Sequence, residues 1–361
     1  MPLILSGNTG TSTLDSSNGL TFSDSSLQGA AASPFVLKNR IINGAMQIFQ
    51  RSSTATNSGT SYSNSYSTVD RYQIYRDGAV TGCNPSTGLS GGPTGLPYFA
   101  RIQRASGNTA TNPLNFAQTI ESINCYDLAG QSVTLSFWAR AGANYSSTSN
   151  SLVATIVSGT GTDGNLYNGL TGFAITANTT ATLTTSWQRF TVTGTVASNA
   201  NQVGMFMQSA PTGTAGANDY FDVTGVQLEL GTSATPFERR LYGQELVNCQ
   251  RYCEVVQPSG LTTFATIAIG QCGSSTIGTA VYYYQVAKRT QPTVTYDTAS
   301  KYGLTNSANS TLALTAISTD RSDITALAIS CTVASGLVAG NATRLLDNNT
   351  SYPKTIISAE L

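Results

Sequence analysis

Apolar side chains in this chain recur at every second position, and in DYFDVTGVQLEL (residues 219–230) that alternation slips by one. Phe221 and Val223 share a face; Val226, Leu228 and Leu230 then continue it, with Gly225 at the slip. A period of two is the geometry of a strand with one buried face. One extra residue at a glycine bulge moves later side chains to the opposite face. Val133, Leu135 and Phe137 in SVTLSFWAR repeat the pattern, as do Phe190, Val192 and Val196, and then Val203, Met205 and Met207. Strands spaced by turn-rich loops with no helices between them must bury their faces on one another. The expected class is all-β, a jelly-roll β-sandwich.

Four segments follow from the texture. Residues 1–35 are rich in Ser, Gly and Thr and carry only isolated Leu20, Phe22 and Leu27. Alone they bury too little to offset their ordering entropy, so they read as an extended arm ordered by a partner, or as a loose tail. Residues 36–237 make the jelly roll. NRIINGAMQIFQR (39–51) reads as a strand bent at Asn43–Gly44, and in TVDRYQIYRDG the set Val69, Arg71, Gln73 and Tyr75 alternates with Asp70, Tyr72 and Ile74. After Pro236, residues 238–256 form a short amphipathic connecting helix, with Tyr242, Leu246, Cys249 and Cys253 on one face. Residues 257–361 make a second, smaller β-sandwich. There Leu327, Ile329, Cys331 and Val333 alternate cleanly. Tyr282 and Tyr284 oppose Val281 and Tyr283, so both faces of that strand are expected to be covered.

Composition narrows the chemistry. Among 361 residues there is no histidine, which removes His-containing triads and zinc-hydrolase sites. Eighteen basic residues balance eighteen acidic ones, so no field steers the chain to nucleic acid or an anionic membrane. Arg239–Arg240 and Lys288–Arg289 read as solvated surface pairs. MPLILSGNTG lacks the basic start and long apolar run expected of a signal peptide, and no window nears the ~20 apolar residues a bilayer requires. The six cysteines read as small buried side chains, with disulfides the alternative.

The motifs NRIINGAMQIFQR, TVDRYQIYRDG, VTLSFWAR, WQRFTVTG, YFDVTGVQLELG and TPFERRLYGQELVNCQRY occur in one order over residues 39–252. That order resembles tail-fibre and other virion proteins of tailed bacteriophages. SFWAR followed by FDVTGVQLE is also similar to the carbohydrate-binding jelly roll attached to many glycoside hydrolases. The resemblance implies a structural virion protein, made in the host cytoplasm and located in the particle. It would be a tail-fibre or baseplate-associated component contacting host-surface glycan. Sister subunits, as a trimer, and other virion proteins bound through residues 1–35 are the implied partners. A head fibre or capsid decoration protein without ligand is the alternative, and a polysaccharide-degrading module a further one.

Glycoside cleavage needs two carboxylates at defined separation. Asp70, Asp77, Asp127, Asp163, Asp219, Asp222 and Glu229 form no local motif, so no catalytic residue and no cofactor is assigned. Asp70 is expected to pair with its neighbour Arg71. Asp219 and Asp222 flank the late strand where the resemblance to carbohydrate-binding jelly rolls implies a structural calcium, but no dense oxygen-rich loop accompanies them, and no metal site is assigned. Sugar contact uses flat aromatic faces beside amides and hydroxyls. Tyr62, Tyr66, Tyr72 and Tyr75 are the candidate ligand-binding rings, with Tyr145 and Tyr167 as further exposed tyrosines. Trp138 and Trp187 read as structural.

Overall fold

The computed structural model describes residues 3–7, 10–15, 19–21, 27–28, 38–52, 66, 68–76, 86–166, 168–258, 263–349 and 352–361. Contacts divide the chain into Met1–Lys38 and Asn39–Leu361. In the first unit β1 (Leu3–Gly7), β2 (Gly10–Asp15), β3 (Gly19–Thr21) and β4 (Leu27–Gln28) pair in chain order as an antiparallel meander. The described part of the arm is therefore folded back rather than extended. Its strands bond to one another along three ladders, β1 to β2, β2 to β3 and β3 to β4.

The second unit opens with ten strands: β5 (Gln73–Arg76), β6 (Ser86–Ser90), β7 (Tyr98–Gln103), β8 (Leu114–Thr119), β9 (Ser132–Ala141), β10 (Ser151–Gly159), β11 (Ala174–Thr182), β12 (Gln188–Thr195), β13 (Gln202–Ser209) and β14 (Tyr220–Leu230). They form two five-stranded antiparallel sheets, ordered β11-β10-β13-β8-β5 and β12-β9-β14-β7-β6. This is the jelly-roll sandwich. Ile74, Phe116, Ile156 and Met205 from one sheet meet Val133, Leu135, Phe137, Phe221 and Leu228 from the other in one core. The expected bulge is present: the β14–β9 register jumps between Thr224 and Gln227, and Gly225 has φ 62°. Leu230, at the strand end, is exposed instead of inward.

Residues 39–51 form a buried turn where a bent strand was expected. Asn43, at φ 59°, takes over the work of a ladder with its side chain. Its amide donates to the Ile48 and Asp70 carbonyls at 2.8 and 3.1 Å and accepts from the Gln47 and Ile48 N–H groups at 3.0 Å each. Gly44 passes so close to β14 that a Cβ there would lie 2.2 Å from the Val226 carbonyl oxygen.

Helix α1 (Tyr242–Gln250) is shorter than expected and turned differently. Cys249 is buried as foreseen, but Glu245 faces inward and Tyr242 faces solvent. Glu245 is drawn in because it accepts the Asn43 N–H and pairs with Arg240 at 3.4 Å.

Nine strands follow: β15 (Cys253–Val256), β16 (Thr266–Cys272), β17 (Ile277–Tyr283), β18 (Thr293–Tyr296), β19 (Tyr302–Thr305), β20 (Thr311–Ser322), β21 (Ala326–Val333), β22 (Ala342–Asp347) and β23 (Thr355–Ser358). Six of them close into a barrel, β16-β17-β21-β20-β19-β22, and three form a small sheet, β15-β23-β18. A sandwich was expected here. Closure comes from β19 and β22, short segments without clear alternation, because β22 pairs with both β16 and β19 and leaves no open edge. Leu327, Ile329, Cys331 and Val333 all point into the barrel core.

Candidate functional site

Among the described residues, the aromatic rings singled out by sequence do not form a surface cluster. Tyr72 is fully buried between the sheets, stacked on Phe116 with ring centres 4.4 Å apart and planes within 5°. Tyr75 lies on the outer face of β5, but Leu166 and Leu170 cover that face, so it too is buried. Alternation assigned these two rings to opposite faces correctly; that both faces are covered depends on a loop about ninety residues later in the chain. Tyr66 is partly buried and donates to the Leu361 carbonyl at 3.2 Å. Tyr145 is also buried, while Tyr62 and Tyr167 lie outside the described residues.

The carboxylates weighed for catalysis or calcium are engaged elsewhere. Asp222 accepts from Arg101 at 2.8 Å and Arg140 at 2.9 Å; Asp219 accepts from Arg104 at 2.8 Å and the Ser146 hydroxyl at 2.7 Å. A calcium ion would stand against guanidinium charge at both, so these residues do not fit one. Asp163 pairs with Arg289 at 3.0 Å, and Glu229 accepts from Gln227 at 2.8 Å and from Thr235. Asp127 pairs with Arg40, and Asp77 lies outside the described residues.

Residues 50–51, 70–71 and 251–252 meet Glu121 and Glu360 at one buried polar junction. Arg71 does not pair with its neighbour Asp70; it reaches Glu360 and the Thr119 carbonyl (3.0 Å), with Tyr252 under its guanidinium. Asp70 instead accepts from the Gln50 side chain at 2.6 Å, with Arg51 at 3.9 Å. Burial raises the Asp70 pKa to about 6, against the pull of Arg51 and Gln50. Tyr252 donates to Glu121 at 2.7 Å, and Arg251 holds the same carboxylate at 2.6 and 2.9 Å. Glu121 also loses solvent, but those two partners outweigh the loss and lower its pKa. Arg240 reaches the Asn39 and Ile41 carbonyls, and Lys288 sits wholly buried against Glu254 at 2.6 Å. The pairs read as solvated surface charges are thus largely interior: in the sequence nothing marks Glu245, Glu254 and Asp163, the acids that Arg240, Lys288 and Arg289 face. Arg239 alone of the four is exposed.

One open groove lies on the outer wall of the barrel, with a volume of about 870 Å³. Pairing sets its floor: Ile269 on β16 stands opposite Arg344 on β22 and Val281 on β17. Tyr283, two residues along from Val281, is 72% exposed, and Ile269 is 67% exposed. The outer face of this strand is therefore open, where the sequence suggested a cover on both sides. Asn306 and Asn309, in the turn between β19 and β20, form one rim. Asn306 Oδ1 accepts the Ala308 and Ser310 N–H groups at 3.0 and 2.9 Å, which fixes the turn. Asn309 Oδ1 accepts from Arg344 at 2.8 Å, which fixes the guanidinium. Sequence reasoning passed over these residues; the signal was the Asn- and Ser-rich turn NSANS facing an outward tyrosine.

No protein-family model matches the chain, and no curated protein matches it. Among solved structures, it is similar to a family 4 carbohydrate-binding module at 18% identity, over 52% of this chain and 98% of that one, with a TM-score of 0.31. It is similar to the enzymatically active domain of tailspike protein 4 of bacteriophage CBA120 at 14% identity and a TM-score of 0.34, over 54% of this chain and only 21% of that one. A xylan-binding domain from Paenibacillus barcinonensis matches at 13% identity and a TM-score of 0.29, over 45% of this chain and 87% of that one.

Proposed function

We propose that this chain is a non-catalytic structural protein of a tailed-phage particle, a tail-fibre or baseplate-associated component that meets glycan on the host surface. One observation carries the reading. Two of the motifs that resemble phage fibre proteins, TVDRYQIYRDG and TPFERRLYGQELVNCQRY, meet through Arg71 and Tyr252 at a buried junction that Glu121 and Glu360 complete. Residues used this way build architecture: they join the jelly roll to α1 and to the segment after β23. The engagement of the described candidate acids by arginines, hydroxyls and amides supports the non-catalytic part. Residues 1–35 would attach the chain to other virion proteins, and sister chains would assemble it as a trimer.

Immunogold labelling of particles carrying this chain tests the location. Label on the tail is expected; label on the head would favour the decoration role instead. Light scattering on the purified chain is expected to give about three times its 37.7 kDa mass. Reducing ends released from host polysaccharide by the pure protein would overturn the non-catalytic reading.

A further inference from the structure

We infer that the barrel groove is a glycan subsite selective for an acidic oligosaccharide, with Tyr283 stacking one sugar ring and Arg344 holding a carboxylate on another. The inference rests on the glycan-contact reading above and adds where the contact lies and which sugar it takes.

Three features of the groove point to that ligand. Tyr283 presents an open ring face, and Ile269 and Val281 extend an apolar floor beside it. Such a floor suits the C–H face of a pyranose, which stacks on an aromatic surface. At the rim, Asn306 and Asn309 use their carbonyl oxygens internally, which leaves their amide N–H groups without a partner among the described residues. Those donors match sugar hydroxyl and ring oxygens. Arg344 is the one charged side chain among the residues lining the groove, and Asn309 engages only one of its terminal nitrogens. A guanidinium pre-positioned by an amide is a fork for a carboxylate.

The spacing selects an oligosaccharide. Arg344 and Val281 flank Ile269 on adjacent strands, and Tyr283 is two residues beyond Val281. At about 4.8 Å between strands and about 3.3 Å per residue, the Arg344 and Tyr283 backbones stand roughly 12 Å apart. Side chains that stand side by side over that span, pointing out of the same sheet face, accommodate a short chain of sugars. The volume lies within the range of small-molecule sites, about 300–1,000 Å³.

The test is calorimetry of the full chain with a uronate-containing oligosaccharide and with its carboxyl-reduced counterpart. The variants are Tyr283→Ala and Arg344→Gln, with melting temperature confirming that each folds. The unsubstituted chain should prefer the acidic sugar. Arg344→Gln should weaken that binding about tenfold or more and leave the reduced sugar unaffected, while Tyr283→Ala should weaken both. Binding that persists unchanged in both variants would remove the groove as the site while leaving the chain a glycan binder. Equal or better binding of the reduced sugar would overturn the acidic assignment. Failure of the unsubstituted chain to bind any glycan on a broad array would remove the glycan-contact reading itself. A fall in oligomer mass in Tyr283→Ala would make the groove a contact between copies, which also overturns the assignment.

Discussion

The Arg71 guanidinium lies 3.5 Å from the centre of the Tyr252 ring, so the start of the jelly roll and the end of helix α1 share one buried contact. The same guanidinium bonds the Thr119 carbonyl and Glu360, which brings β8 and the segment after β23 to that point. Removing one partner of such a buried ion pair leaves the other charge poorly compensated. Arg71→Met should therefore destabilise the fold by about 3–5 kcal/mol in urea denaturation. Arg71→Lys should also be destabilising, because an ammonium cannot stack flat and bond in two directions at once. A loss below about 1 kcal/mol for both would show that the junction contributes little.

Asp70 makes stability depend on pH. Its folded pKa, about 6, lies above the ~3.9 of an unfolded aspartate. The folded state thus holds the proton more tightly, so this contribution is complete below about pH 4 and is lost as pH rises through 6. The gap corresponds to about 3 kcal/mol. Relative to Asp70→Asn, the unsubstituted chain should lose roughly that much unfolding free energy between pH 4 and 7. A stability difference that stays flat over this window would contradict the assignment.

Two glycines should not tolerate a methyl group. At Gly225 the backbone has φ 62°, and a Cβ would approach Leu96 Cδ1 to 2.6 Å. Gly225→Ala should cost about 1–3 kcal/mol, since Leu96 can yield but the backbone conformation stays unfavourable. At Gly44 the obstacle is the Val226 carbonyl oxygen, which cannot rotate away. Gly44→Ala should lower the melting temperature further than Gly225→Ala, and the reverse order would argue against close contact between the turn and β14.

The thiols of Cys125, Cys249, Cys253, Cys272 and Cys331 are free and buried, and Cys83 lies outside the described residues. Burial pushes the Cys125 and Cys331 thiols up to about 12, so no thiolate forms at neutral pH. Iodoacetamide at pH 8 should leave these five peptides unlabelled in the native protein and label them in denaturant, as read by mass spectrometry. Labelling of Cys125 or Cys331 in the native state would contradict their burial.

Much of the architecture was legible because burial leaves a period in the chain. The alternation in β9, β13, β14 and β21 marked their inward residues, and the slip at Gly225 located a bulge to the residue. Where local pattern was weak, the sequence misled. Residues 39–51 look like a strand, yet the Asn43 amide replaces ladder bonds and makes a turn. β19 and β22 carry little alternation, so the closed barrel could not be told from an open sandwich.

The candidate site was the least legible part. A tyrosine in an alternating strand belongs to one face, but only the fold decides whether another segment covers that face. Tyr75 is covered by Leu166 and Leu170, and Tyr283 is not. Charges obey the same logic: Arg71 finds its carboxylate at Glu360, far along the chain, instead of at the adjacent Asp70. By itself, the sequence determined the strand class, the bulge and the core faces, because those follow from side chains two residues apart. Tertiary structure alone decided barrel closure, the buried ion pairs and the open groove, because each depends on residues that only folding brings together.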